Sequence, residues 1–208
     1  MGSRPPRPRR SKPGDDAILD LLCDGSTHVI TTERLHLRHA TAEDLSALRG
    51  LVDDDVRHWQ GWDGLADPAL DPFFQPAAAH PLREVGALAI VHRESGELLG
   101  ERTWAIVAGT PDLCATGSWL RASARGHRYS TEELRAFTRF AHAHLGFARV
   151  WADTNVANER AIRQYARAGF RQQTFGRDVT LANGTVVDAV SFEHADGRAR
   201  FTCLARTA

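Results

Sequence analysis

Asn158-Glu159-Arg160-Ala161-Ile162-Arg163-Gln164-Tyr165-Ala166-Arg167-Ala168-Gly169-Phe170 is the stretch from which the fold is read. Asn is a helix-capping residue and Gly a helix-stopping one, so the segment between them reads as a short helix. Asn158 and Tyr165 are two turns apart and share a face, separated by roughly 10 Å along the axis. An extended ligand can be held at the Asn amide and meet the Tyr hydroxyl further on. The same spacing also fits a helix that packs its Tyr into a core and uses Asn only as a cap.

Upstream lies a strand–turn–helix unit, Trp119-Leu120-Arg121-Ala122-Ser123-Ala124-Arg125-Gly126-His127-Arg128-Tyr129-Ser130. A short turn feeding a helix N-terminus gathers free N–H groups and the positive end of the helix dipole, which suits phosphate or diphosphate. Arg125 and Arg128 add charge. Ser130 with Glu133 reads as a capping box. A plain surface loop is the alternative. Leu134, Phe137, Ala141 and Leu145 give the helix one apolar face, ended by Gly146, and His142 and His144 are expected at its surface.

Outward from these units, Leu35 and Leu37 alternate with polar residues as in a half-buried strand, and Thr41 caps an apolar-periodic helix through Leu51. Residues 53–82 read as irregular and aromatic-rich, with Trp59, Trp62, Phe73 and Phe74. Residues 85–91 and 98–107 form a hairpin turning at Glu94 to Glu97. Residues 112–120, 147–152, 170–175 and 186–192 read as further strands, the last two joined at Asn183-Gly184. The expectation is an α/β (α+β) domain over 17–208, with a mixed twisted sheet of about seven strands flanked by helices. Residues 1–16, basic and proline-rich, read as a disordered tail.

Taken in order, these pieces resemble the GNAT superfamily of N-acetyltransferases, in the RimJ/RimL-like branch. The resemblance spans roughly residues 29–194. It rests on Thr32 to Arg38 followed by Asp44, on Gly117-Ser118-Trp119-Leu120, and on Arg125 to Ser130. It rests further on Leu145 to Val150, on Asn158 to Phe170, and on Asn183-Gly184 with Asp188. It implies acetyl-CoA, or another acyl-CoA, as co-substrate and no metal. The pantetheine is then expected near Trp119, Leu120 and Arg121, and the diphosphate on Arg125, Gly126, His127, Arg128, Tyr129 and Ser130. Asn158 is expected to bond the cofactor and Tyr165 to protonate the leaving thiolate. Glu101, on the third strand of the family's count, is the expected base, with Asp112 and His127 as substitutes. A homodimer is implied by analogy.

The sequence departs from the family pattern in three places. Arg128 stands where a Gly lets the backbone approach the diphosphate, and a positive φ there is strained for any side chain. Ala115 stands where many of the branch carry a carboxylate. Ala161 and Tyr165 reverse the branch's usual Ser and non-Tyr, which argues against a faithful ribosomal-protein acetyltransferase.

Composition narrows the function classes. Lys+Arg and Asp+Glu are both 26 in 208 residues, so the whole-chain basic field of a nucleic-acid binder is absent. No apolar run approaches the ~20 residues of a membrane span. The basic start lacks an apolar stretch behind it, so no signal peptide is expected. Cys23, Cys114 and Cys203 are widely spaced, which suggests reduced thiols in a cytoplasmic protein. The readings left open are an acetyltransferase for a small-molecule amine, one for a protein N-terminus, and a non-catalytic binding module on the same fold.

Overall fold

The computed structural model describes residues 20–23, 28–65 and 85–196. The 1–16 tail, Phe73, Phe74 and Cys203 lie outside the described residues.

The described chain forms one sheet. In chain order its elements are β1 (Asp20–Cys23), β2 (His28–Thr31), β3 (Leu35–His39), α1 (Ala42–Leu51) and α2 (Asp54–Gln60). Then come β4 (Val85–His92), β5 (Leu98–Val107), β6 (Thr110–Leu120), α3 (Tyr129–Ala143), β7 (Arg149–Asn155), α4 (Glu159–Ala168), β8 (Arg171–Thr180) and β9 (Val186–Ala195). The strand order is β1-β2-β3-β4-β5-β6-β7-β9-β8. All neighbours are antiparallel except β6 and β7. The mixed α/β class is as expected. The sheet has nine strands, not about seven, because β1 and β2 extend it at the N-terminal edge.

Consecutive residues of β6 show how the sheet divides the apolar side chains, since neighbours on a strand point to opposite faces. Leu120 joins the large cluster with Leu134, Phe137 and Phe140 of α3 and Tyr165 of α4. Trp119 joins a smaller one with Leu48 of α1, Val56 of α2 and Trp62. The period-3.6 apolar face of α3 is fully buried, at about 1.5–3 kcal/mol for each large side chain.

Several local expectations are corrected. Asp53 caps α2 by accepting from the Val56 N–H, so part of the segment expected to be irregular is helical. Helix α3 starts one residue before Ser130, with Arg128 at its N-cap, so Ser130 is not the cap. Glu133 is fully buried and binds the guanidinium of the equally buried Arg102, with the Ser118 hydroxyl donating to it at 3.1 Å. Burial pushes the Glu133 carboxyl up and Arg102 opposes that shift. His142 is buried, bonded to the Phe147 carbonyl at 2.6 Å and to His194 at 3.0 Å. At α1 the expected Thr41 cap is present, in a capping box with Asp44, and the Arg38 guanidinium beside Asp44 lowers its carboxyl to about 2.

Candidate active site

The site begins where two strands part. The parallel ladder between β6 and β7 pairs only Leu113–Ala115 with Arg149–Trp151. β6 continues to Leu120 and β7 to Asn155. Beyond Ala115 each strand therefore offers a backbone edge that its neighbour does not fill, and such groups need other partners. One is found by α2: Gln60 Nε2 donates to the Ser118 carbonyl at 3.5 Å.

Two cavities meet over this opening, each of about 300 Å³. Trp59, Gln60, Trp119, Asn158 and Gln164 line both. The first is lined by Arg125, Arg128, Arg160, Arg163 and Arg167, with Asp55 as its acid. The second holds Glu101, Asp153 and Tyr165 among Trp59, Trp62, Trp119 and Trp151, and no Arg, Lys or His lines it among the described residues.

Helix α4 forms the wall between them. Asn158 Oδ1 accepts from the Ala161 N–H at 3.1 Å, so Asn158 is the cap, and its side-chain nitrogen Nδ2 has no hydrogen bond among the described residues. Gln164 Nε2 donates to the Ser130 carbonyl at 3.0 Å, which ties α4 to the first turn of α3. Two turns on from Asn158, Tyr165 stacks on Phe192 with ring centroids 5.0 Å apart. It is 8% exposed and lines the acidic cavity. Burial, reinforced by Asp153 and Glu133, raises its hydroxyl to about 12, against the opposing field of Arg102. Tyr165 is thus a protonated donor at any ordinary pH.

The turn at Arg125 to Ser130 carries its positive charge at a conformational cost. Arg128 has φ 64°, the left-handed region. A side chain there costs about 1–2 kcal/mol relative to glycine. Of the residues expected at the cofactor, Trp119, Leu120, Arg125, Gly126, Arg128, Tyr129, Ser130 and Asn158 line the arginine cavity. Arg121 and His127 line neither cavity. The Arg121 guanidinium pairs with Glu97 at 2.6 Å, and the His127 ring stacks on Tyr129. Arg125 lies at the cavity but pairs with Asp53 at 2.8 Å and Asp55 at 2.9 Å.

Glu101 is 1% exposed and lines the acidic cavity, cross-strand from Trp119. The two substitutes do not line it: Asp112 pairs with Arg149 at 3.3 Å in solvent, and His127 sits at the turn. Asp153, missed from the sequence, does. On β7 the residues Trp151, Asp153, Thr154 and Asn155 line the cavity while Val150 and Ala152 are buried behind them. The strand expected from the sequence ended at Ala152, which left Asp153 outside it. Asp153 is reached by solvent yet crowded by protein, and this desolvation raises its carboxyl. No ion pair engages it among the described residues. No group of His, Cys, Asp and Glu able to hold a metal occurs among the described residues. No helix there is long and apolar enough to cross a membrane.

Comparison with known proteins places the architecture. A GNAT-family N-acetyltransferase from Brucella melitensis is 17% identical, with TM-score 0.66 over 82% of this chain and 79% of that one. The aminoglycoside acetyltransferase AAC(6')-Ib, solved with coenzyme A, is 23% identical, with TM-score 0.59 over 77% of this chain and 94% of that one. The microcin C7 self-immunity acetyltransferase MccE, solved with acetyl-CoA and AMP, is 16% identical, with TM-score 0.67 over 79% and 94%. No curated protein matches the chain by sequence. At these identities the structures bear on the fold. The family model for the GNAT acetyltransferase domain matches residues 34–171, and with the split β6–β7 sheet this establishes that the chain belongs to the GNAT acetyltransferase family.

Proposed function

We propose that the protein transfers an acetyl group from acetyl-CoA to a primary amine of a small molecule. The observation that carries this reading is the meeting of two cavities of opposite character at the wall formed by Asn158 and Gln164. Arginine forks match phosphate oxygens, so the arginine cavity fits the phosphates of the cofactor. The acidic cavity, of about 300 Å³, is the size of a small-molecule site. The neighbours solved with coenzyme A or acetyl-CoA support the same choice of donor.

The chemistry follows from the groups at the junction. An amine reaches the acidic cavity as an ammonium and attacks only when neutral, so Glu101 takes one proton. The amine nitrogen then bonds to the thioester carbonyl carbon. A backbone N–H of the parted β6 edge is suited to the developing oxyanion. The C–S bond breaks as the intermediate loses a second proton, and the sulfur gains one. Ammonium and thioester thus give amide, thiol and one proton released to solvent. A phenol at about 12 is a weaker acid than an ordinary thiol near ~8.5, so full transfer from Tyr165 alone would run uphill. Tyr165 therefore acts as a relay, donating to sulfur while the acidic ammonium of the intermediate supplies the proton.

Calorimetric titration with acetyl-CoA tests the donor. We expect a Kd in the micromolar range. Absence of binding up to millimolar acetyl-CoA would overturn the reading.

A further inference from the structure

We infer that the acceptor is a small polycation, with at least two amino groups, and that Asp153 determines this specificity by holding one of them as an ammonium while another reacts. The inference rests on the transferase reading and names the acceptor class of the same site.

Three independent features of the acidic cavity lead to it. The first is its charge. Glu101 and Asp153 both line it, with no cationic side chain among the described residues. One carboxylate suffices for the proton of the attacking amine, so the second has another task. A monoamine that presents its ammonium to Glu101 leaves Asp153, which no cationic side chain of this cavity faces, without a counter-ion. A second ammonium supplies that counter-ion.

The second feature is the lining. Trp59, Trp62, Trp119 and Trp151 are four of the chain's five tryptophans, and all border this one cavity. Indole faces attract ammonium groups, and tryptophan does so best among the aromatic side chains. The flanking CH₂ groups of an aliphatic amine pack on the same faces. A neutral acceptor would use the apolar area alone.

The third is an unfilled donor. Trp119 is 8% exposed, and its indole N–H has no hydrogen-bond partner among the described residues. Such a buried donor calls for an acceptor atom. Trp119 lines both cavities, where the thioester and the acceptor come together. Donor, carboxylates and indoles on one cavity describe a site for a cationic ligand beside a carbonyl.

The four lining tryptophans make binding visible without catalysis. The probes are cadaverine and n-pentylamine, which differ only by the second amino group. Each is titrated into the full chain while tryptophan fluorescence is recorded, without acetyl-CoA. We expect cadaverine to bind at least about tenfold more tightly. Asp153→Asn should remove that preference, and Asp153→Glu should restore part of it. Thermal melting of each variant separates lost recognition from lost folding. Equal binding of the two amines overturns the inference, as does an unchanged preference in a folded Asp153→Asn protein. Selective cadaverine binding without any acetyl transfer would count against the transferase reading alone. Acetylation of both amines with equal kcat/KM would count against the polycation inference alone.

Discussion

At the residue scale, Arg128 shows how the site trades stability for charge. Its left-handed backbone at φ 64° would suit glycine, while its guanidinium lines the arginine cavity. Arg128→Gly should therefore raise stability by about 1 kcal/mol, or about 3 °C in Tm. The same change should weaken acetyl-CoA binding about tenfold, the loss of one charge-assisted contact. Melting and calorimetry on one sample check both signs. A variant that gains stability without losing affinity would show that Arg128 does not touch the phosphates. Residue-level legibility followed locality. Asn158 and Gly169 cap the two ends of one short helix that carries Tyr165, so spacing alone placed Asn158 and Tyr165 on one wall. Glu133 misled because its partner Arg102 is 31 positions away, and no local pattern reports a buried pair that far apart. Arg121 and His127 misled because a turn's residues can be recognised from sequence while the direction of each side chain depends on register.

At the element scale, α2 links the two cavities. Its C-cap Gly61, in the left-handed region, accepts at its carbonyl oxygen from the Asn183 N–H at 3.0 Å, pinning the helix to the β8–β9 turn. A side chain at Gly61 would meet Leu181 Cβ at 2.6 Å. At its other end Asp55 pairs with Arg125 at 2.9 Å and Arg160 at 2.6 Å, two of the cations that line the arginine cavity. On the proposed reading, Asp55 thus occupies guanidiniums that the cofactor's phosphates would use. These pairs are partly exposed and each is worth about 1 kcal/mol or less. Asp55→Asn is expected to tighten acetyl-CoA binding by about threefold to tenfold in calorimetry, through the freed cations. Weaker binding would instead mean that Asp55 holds Arg125 and Arg160 in place for the cofactor. This helix was not legible in advance because seven residues with two aspartates and no apolar stripe carry little periodic signal. The Asp53 cap was the cue available.

At the scale of the whole molecule, the account joins a split sheet to a division of charge. The β6–β7 parting creates the opening, α4 divides it, and the sequence supplies arginines to one side and carboxylates with indoles to the other. The succession of elements along the chain and the mixed α/β class followed from alternation and turn residues such as Asn183-Gly184, which are local. The two additional strands at the N-terminal edge follow a segment with little alternation, and Asp153 was readable only once β7 had a defined face. The central claim is that these two cavities carry one reaction. The measurement that tests it most directly is release of free thiol from acetyl-CoA with and without cadaverine, with the acetylated amine identified by mass. The account predicts amine-dependent release with one amide formed per thiol. It also predicts a kcat lowered about 10²-fold in Tyr165→Phe, with acetyl-CoA affinity nearly unchanged. Thiol release that ignores the amine, or full turnover without the Tyr165 hydroxyl, would contradict it.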